Sequence, residues 1–313
     1  MKTIATKIAA ATLGWLFAIG AAQAGIVDSI LAQADSGKIY QLTIDHANGT
    51  VAETEFGSFP DVGPKPPEPN SPNGLAVVNG EIYRAAFNYT EPGGTQQVFK
   101  GPNTSVFTTV DTERSAIAAA GGFGDRYYYA DSIGNVRSVN TTDVSDQTDF
   151  GSVTSGSRTF YGDLVVQDAQ TLILTYDEGA QTTPHFGALT RTGSKGYEFK
   201  DSSGDPITPL KWAGIAFGQS GTLYGVRAKN LNLSDADKIN EGAGDTGVYK
   251  ISFAHRLETV SYALIGTLDN STVKYTDASP LPTPIPAAAW LFGSALLGAV
   301  GLGRRKVARA SKA

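Results

Sequence analysis

Four oxygen-bearing side chains, Asn230, Asn232, Ser234 and Glu241, fall at positions 1, 3, 5 and 12 of a short acidic stretch. This is the spacing by which an EF-hand-type loop surrounds calcium, a hard cation that needs several oxygens from one compact segment. Asp235 stands where such a loop uses glycine, and position 1 is Asn rather than Asp. A solvated polar loop is therefore the competing reading, and calcium is the one cofactor the sequence suggests. Carboxylates recur elsewhere as Asp131, Asp163, Asp177 and Glu178. Paired carboxylates suit glycoside cleavage, in which one protonates the leaving oxygen and the other attacks or activates water. The plainer role for these residues is to cap turns. His46, His185 and His255 are too far apart in sequence to form a zinc pair. The chain has no cysteine, which excludes thiol catalysis, disulfides and Cys-ligated metal centres. No G-x-S-x-G elbow, phosphate loop or H-E-x-x-H helix occurs.

The elements that must carry these residues repeat. NGLAVVNGEIYRAAF (73–87), AIAAAGGFGDRYYYAD (116–131), YGDLVVQDAQTLILTY (161–176) and WAGIAFGQSGTLYGV (212–226) each read as a hairpin: apolar and aromatic residues around a tight polar turn. A third strand follows each (96–100, 135–139, 185–191, 247–253), and often a more polar fourth, such as 105–110. In Tyr127-Tyr128-Tyr129, strand alternation puts the first and last on one face and the middle one on the other.

A repeat of about 40–50 residues with four strands per unit is the mark of a β-propeller, whose blades bury their faces against their neighbours. Segments 29–35, 38–44 and 50–56 read as the second to fourth strands of a first blade. Its missing first strand would come from near the end, at 271–276, and so close the ring. The expected fold is all-β, with about five four-stranded blades. Six is also compatible, because 257–268 is hard to parse; a β-sandwich or β-helix is the alternative architecture. Two segments rich in loop-forming residues, 56–74 and 229–245, interrupt the pattern. The phrase apolar-Gly-turn-Gly-x-Leu-Tyr resembles blades of the NHL-repeat and gluconolactonase-like propellers over most of 29–268. The resemblance implies a propeller. In the gluconolactonase-like enzymes, Glu, Asn and Asp gather around a central calcium.

The two ends read as addresses. Lys2 and Lys7 precede an apolar run from Ile8 to Ala22, and Ala22-Gln23-Ala24 offers small residues to a signal peptidase, with cleavage before Gly25. Residues 1–24 are thus expected to be a signal peptide and 25–279 the propeller domain. Residues 280–313 are expected to form a C-terminal tail. Within it Ala287–Gly303 is uncharged and 17 residues long, the lower limit of a membrane-spanning helix. Arg304, Arg305 and Lys306 follow and would stay on the cytoplasmic side. Pro284-Ile285-Pro286-Ala287, the short Gly/Ala-rich segment and the basic cluster together resemble the PEP-CTERM sorting tails, in their VPLPA-like variant. Ile285 stands where the founding motif has Glu. The resemblance implies processing by an exosortase in Gram-negative bacteria that make exopolysaccharide. The expected location is then export through the inner membrane to the cell surface or beyond; a permanent membrane anchor is the alternative.

Seven of the 25 basic residues lie in these two ends and all 30 acidic ones lie between them, so the middle carries a net charge of −12 against −5 for the whole chain. Such a surface repels phosphate backbones, and nucleic acid is not an expected partner. The leading expectation is a non-catalytic surface or matrix propeller that binds a polysaccharide or a surface protein. The rival is a secreted propeller hydrolase acting on a lactone or glycoside. Three or more acidic or Asn side chains at the central axis would favour the rival.

Overall fold

The computed structural model describes residues 27–58, 74–88, 95–101, 104–108, 117–131, 133–153, 160–178, 184–227, 246–268 and, between 273 and 282, all but 274. The signal segment with Ala22, Ala24 and Gly25, the calcium-loop residues, the sorting motif, the apolar tail and its basic cluster lie outside the described residues.

Among the described residues twenty-one strands form five separate sheets, each of them one blade. Blade 1 holds β1 (Val27–Ala34), β2 (Lys38–Asp45) and β3 (Thr50–Ser58). Blade 2 holds β4 (Leu75–Val78), β5 (Glu81–Asn88), β6 (Thr95–Lys100) and β7 (Thr104–Thr108). Blade 3 runs through β8 (Ile117–Phe123), β9 (Arg126–Asp131), β10 (Asn135–Asn140) and β11 (Gln147–Ser152). Blade 4 is β12 (Phe160–Asp168), β13 (Thr171–Glu178), β14 (His185–Thr190) and β15 (Gly193–Gly196). A two-residue strand, β16 (Glu198–Phe199), then reaches across to blade 5. Blade 5 is β17 (Gly214–Phe217), β18 (Leu223–Arg227), β19 (Gly247–Ala254) and β20 (Thr259–Thr267). The last strand, β21 (Tyr275–Pro280), returns to blade 1 and pairs antiparallel with β1, from Ile30 opposite Pro280 to Ala34 opposite Tyr275.

The ring therefore closes with five blades, not six, and 257–268 supplies the outer strand β20. The closing strand is not the expected 271–276 but lies four residues later. Thr-Asp-Ala-Ser-Pro reads as turn chemistry, yet Asp277, Ala278 and Ser279 are buried there, and the Asp277 carboxyl is bonded to backbone N–H groups.

Each turn obeys local chemistry. The β4–β5 hairpin turns through Asn79 and Gly80, both at positive φ (50° and 76°); two such residues give a turn whose twist matches that of the strands. The β4–β5 and β8–β9 turns touch, with Asn79 N–H donating to Gly124 O, and the β10–β11 turn joins them as Thr141 N–H donates to Asp125 O. These turns mark one end of the ring, the hairpin end. Since β21 ends beside the start of β1, the propeller both begins and finishes at this end.

The core is five seams between blades. Ala76, Tyr83, Tyr127, Tyr129 and Val139 pack between blades 2 and 3, whereas Tyr128 packs with Val136, Phe150 and Leu164 between blades 3 and 4. The strand alternation of the three tyrosines is thus realised. Trp212, Phe186 and Phe199 fill the seam between blades 4 and 5 with ring centroids about 6 Å apart. The seam between blades 1 and 2 is the smallest, with four buried residues: Leu31, Ile39, Leu75 and Ile82.

Because β21 carries the inner edge of blade 1, a chain stopped before Tyr275 is expected to lose cooperative unfolding, as an exposed β1 edge and an unsealed seam remain. Thermal and denaturant unfolding followed by near-UV circular dichroism checks this; an unchanged sharp transition would contradict it.

Candidate functional site

At the axis two carboxyls meet. Asp163 comes from β12 and Asp277 from β21, with exposures of 0% and 1%. Asp277 Oδ2 accepts N–H bonds from Gly74 and, at 2.7 Å, from Leu75; its Oδ1 accepts from Ala278 N at 2.7 Å. Asp163 accepts from Leu164 N at 2.7 Å and from Ile215 N at 2.6 Å. The two side chains also share a hydrogen bond with each other. That contact needs a proton, since two carboxylates would repel. Burial pushes both carboxyls above the ordinary carboxylate range. Asp163 is raised by burial and then by the charge on Asp277, and Asp277 by burial against the backbone N–H bonds that lower it.

Blade 3, the remaining one, joins through Tyr127, whose hydroxyl donates to Gly74 O at 2.7 Å. Burial, then the nearby Asp277, holds this phenol well above its usual value. Gly74 is fixed by its surroundings: its φ is +106°, and a Cβ there would lie 2.8–2.9 Å from Tyr127 Oη, the Ala85 methyl and an Ile117 methyl. The pair and its partners thus come from blades 1, 2, 4 and 5, and Tyr127 adds blade 3.

A second buried carboxyl, Asp28 at the start of β1, staples blade 1 to the β17–β18 turn. It accepts from Gln219 N at 2.6 Å, from the Ser220 hydroxyl and from Tyr224 Oη at 3.0 Å. Burial raises it, but bonds from Ser220, Ser29 and Tyr224 outweigh burial and leave it below the usual range. Burial and Asp28 push Tyr224 up to about 12, and His46 Nε2 lies 2.6 Å from its hydroxyl.

The residues singled out in the sequence are scattered. Asp131 closes a local turn, accepting from Ile133 N, Asn135 N and Asn135 Nδ2. Asp177 and Glu178 end β13, opposite Tyr161 and Phe160. Each histidine sits against a tyrosine rather than another histidine: His46 on Tyr224, His185 stacked on Tyr176 at 5.2 Å, and His255 Nδ1 bonded to Tyr197 Oη. Among the described residues no group of three or more His, Asp or Glu could hold a metal ion. Of these carboxylates Asp163 reaches the axis, where its partner is Asp277. A signal for that partner exists: Tyr-x-Asp occurs at 161–163 and again at 275–277, in the inner strands of blades 4 and 1.

Two surface grooves open at the hairpin end and share Gln167. One, about 540 Å³, lies between blades 4 and 5 and is lined by Gln167, Thr190, Thr192, Ser194, Lys195 and His255. The other, about 740 Å³, crosses the axis and is mainly apolar, with Phe123, Val166, Phe217, Leu223, Phe253 and Pro280 in its walls.

Fold and site together define a five-bladed β-propeller with a buried, backbone-bonded carboxyl pair at its hub. No family profile and no curated protein matches the chain. Solved structures similar to it include one from a nidogen/laminin complex, at 13% identity and a TM-score of 0.43 over 81% of this chain and 98% of that one. A protein of unknown function from Bacteroides thetaiotaomicron gives 14% identity and a TM-score of 0.41 over 77% of this chain and 58% of that one. TolB from Acinetobacter baumannii gives 10% and 0.40 over 82% and 67%.

The hub sets a pH dependence. Folding raises the affinity of the pair for its proton, while the unfolded chain releases it above about pH 4. Stability from this pair is therefore full at acid pH and falls as the pH rises towards and through the raised folded values. Asp163→Asn keeps an acceptor for Ile215 N–H and can give Asp277 an amide donor, but leaves the Leu164 N–H without its acceptor. It is expected to cost about 1–2 kcal/mol at pH 5 and to lose less stability than wild type between pH 5 and pH 8. Asp277→Asn cannot accept all its backbone N–H groups and is expected to cost about 3 kcal/mol. Denaturant unfolding of both variants at the two pH values tests this, and equal losses would contradict the assignment.

Proposed function

We propose that this chain is an exported, exosortase-sorted surface or matrix protein whose propeller binds a neutral glycan without catalysis. The observation that carries the binding reading is the polar groove between blades 4 and 5. Its side chains offer neutral hydroxyls and an amide from Thr190, Thr192, Ser194 and Gln167, beside the Tyr197–His255 ring pair. Sugars present the same chemistry in complement: hydroxyls that both donate and accept, and C–H faces that lie on rings. Lys195 is already paired with Glu258 at 2.9 Å, so the groove does not select for anions. The hydrolase reading needs a carboxyl pair that reaches substrate, and the axial pair is instead sealed and bonded to backbone N–H groups.

The delivery reading rests on the tail sequence. Pro284 and Pro286 keep the backbone before the apolar segment extended and open to a protease, and Arg304, Arg305 and Lys306 set the orientation of the segment in the membrane. Signal peptidase would release Gly25 as the new N-terminus, and an exosortase would cut near Pro284–Ala287.

Two measurements check the two halves. Affinity electrophoresis through gels holding neutral polysaccharides is expected to retard the protein. Gln167→Ala combined with Thr192→Ala is expected to weaken this at least tenfold, and Phe56→Ser, on outer strand β3, to leave it unchanged. Newly formed reducing ends in the gel would instead establish the hydrolase. Intact mass of surface-released protein is expected to correspond to a chain starting at Gly25 and ending near residues 284–287; a mass that runs to Ala313 would leave the permanent anchor.

A further inference from the structure

The hairpin end is where apolar surface collects. Of the six large hydrophobic residues exposed among those described, Val27, Phe123, Val144 and Leu257 all sit at this end, at the start of β1 and in three hairpin turns. Phe56 and Leu264 lie on outer strands. The apolar groove of about 740 Å³ opens on the same end, directly over the axis. Pro280, the last residue of β21, is part of its wall, and Leu281 beyond it packs against the seam between blades 1 and 2, so the chain leaves the last strand beside the groove.

We propose that this groove seats the chain's own apolar tail segment, Ala287–Gly303, whenever that segment is in water. Reach supports it: from Pro282 to Ala287 the chain can span about 17 Å at full extension, so Trp290, Leu291 and Phe292 fall within range of Phe123, Phe217 and Phe253. The groove needs an apolar occupant, and the sequence supplies one tethered at its edge. Tethering makes the encounter intramolecular, with an effective concentration in the millimolar range.

Charge agrees and separates this occupant from a lipid surface. The groove wall holds one charged side chain, Lys250, while the hairpin turns beyond it carry Asp125, Asp143 and Asp168, whose carboxyls take bonds from neutral groups: Asn140 Nδ2, Ser145 Oγ and Gln170 N respectively. Among the described residues none of these three forms an ion pair. Arg304, Arg305 and Lys306 follow the apolar segment directly and would meet these turn carboxylates once the segment is seated, whereas an anionic bilayer would be repelled by them. The seat keeps an exposed 17-residue apolar segment from associating with other chains, and a membrane competes for the same segment. The inference depends neither on cutting of the tail nor on glycan binding, which uses the neighbouring polar groove.

The test uses the chain from Gly25 to Ala313 in dilute solution, with a photo-reactive benzoyl-phenylalanine replacing Phe123 and, separately, Leu257 or Phe56. After irradiation, mass spectrometry of digests is expected to find the probe at Phe123 joined to residues 287–303 of the same chain. The probe at Phe56 is expected to capture none. Combining Arg304→Glu, Arg305→Glu and Lys306→Glu is expected to lower the yield several-fold. Should the Phe123 replacement misfold, Leu257 on the same end gives the equivalent reading. Cross-links between two copies that rise with concentration would overturn the proposal in favour of a dimer face. Capture only of lipid, with added anionic vesicles and none without, would overturn it in favour of membrane docking. No tail capture at either position would also reject it.

Discussion

Everything in this ring leans on two buried carboxyls that bond the backbone of neighbouring blades. Five wedge-shaped sheets meeting at an axis leave a narrow space lined by the starts of the inner strands, whose N–H groups have no strand partner on that side. A buried donor without an acceptor costs about 1–3 kcal/mol. Asp163 and Asp277 answer that need with two carboxyls, but two carboxylates so close and so dry would repel each other. One proton between them removes the repulsion and adds a hydrogen bond. The acid chemistry at the centre is thereby spent on holding blades together. Asp277 serves the seam between blades 1 and 2, where four buried hydrophobic residues meet among those described, so hydrogen bonding adds there to what packing does at the wider seams.

Asp28 shows the same residue type tuned in the opposite direction. It lies among hydroxyl and N–H donors with no second carboxyl against it, and so remains ionised. Its contribution to stability is lost as the pH falls through its lowered value, whereas that of the axial pair is lost as the pH rises. The molecule is therefore most stable in a window bounded by two staples of opposite sign. The Tyr224 hydroxyl and His46 extend the Asp28 network towards solvent, while Tyr127 extends the axial one into the next seam.

The sequence discloses most of the fold, because hairpins are local. Alternating Val, Leu and Tyr around Asn-Gly or Gln-Ser-Gly turns identifies the strands of blades 2 to 5 and the facing of Tyr127, Tyr128 and Tyr129. Local patterns fail in two places. The outer strand β20 is exposed along much of its length, so its alternation is weak and Leu257–Leu268 was hard to assign. The closing strand β21 is written in Thr, Asp, Ser and Pro, and its burial makes sense only once Gly74 and Leu75, about 200 residues earlier in the chain, are placed beside it. The hub was legible only in fragments for the same reason. Asp163 stood out as a carboxylate, but its role is decided by Asp277 and Ile215, which no neighbouring residue announces.

The antiparallel pairing of β21 with β1 also fixes an order of events in time. A chain made from its N-terminus has β1, β2 and β3 first, yet the inner edge of β1 stays open until residues 275–280 emerge. Asp277 arrives with them, so Gly74 and Leu75 wait for their acceptor, and Asp163 for its partner carboxyl, until almost the whole chain exists. Contacts this distant are slow to form, and the ring is complete only when the tail is next to appear. Closure of the last blade and emergence of the residues after it are therefore nearly simultaneous.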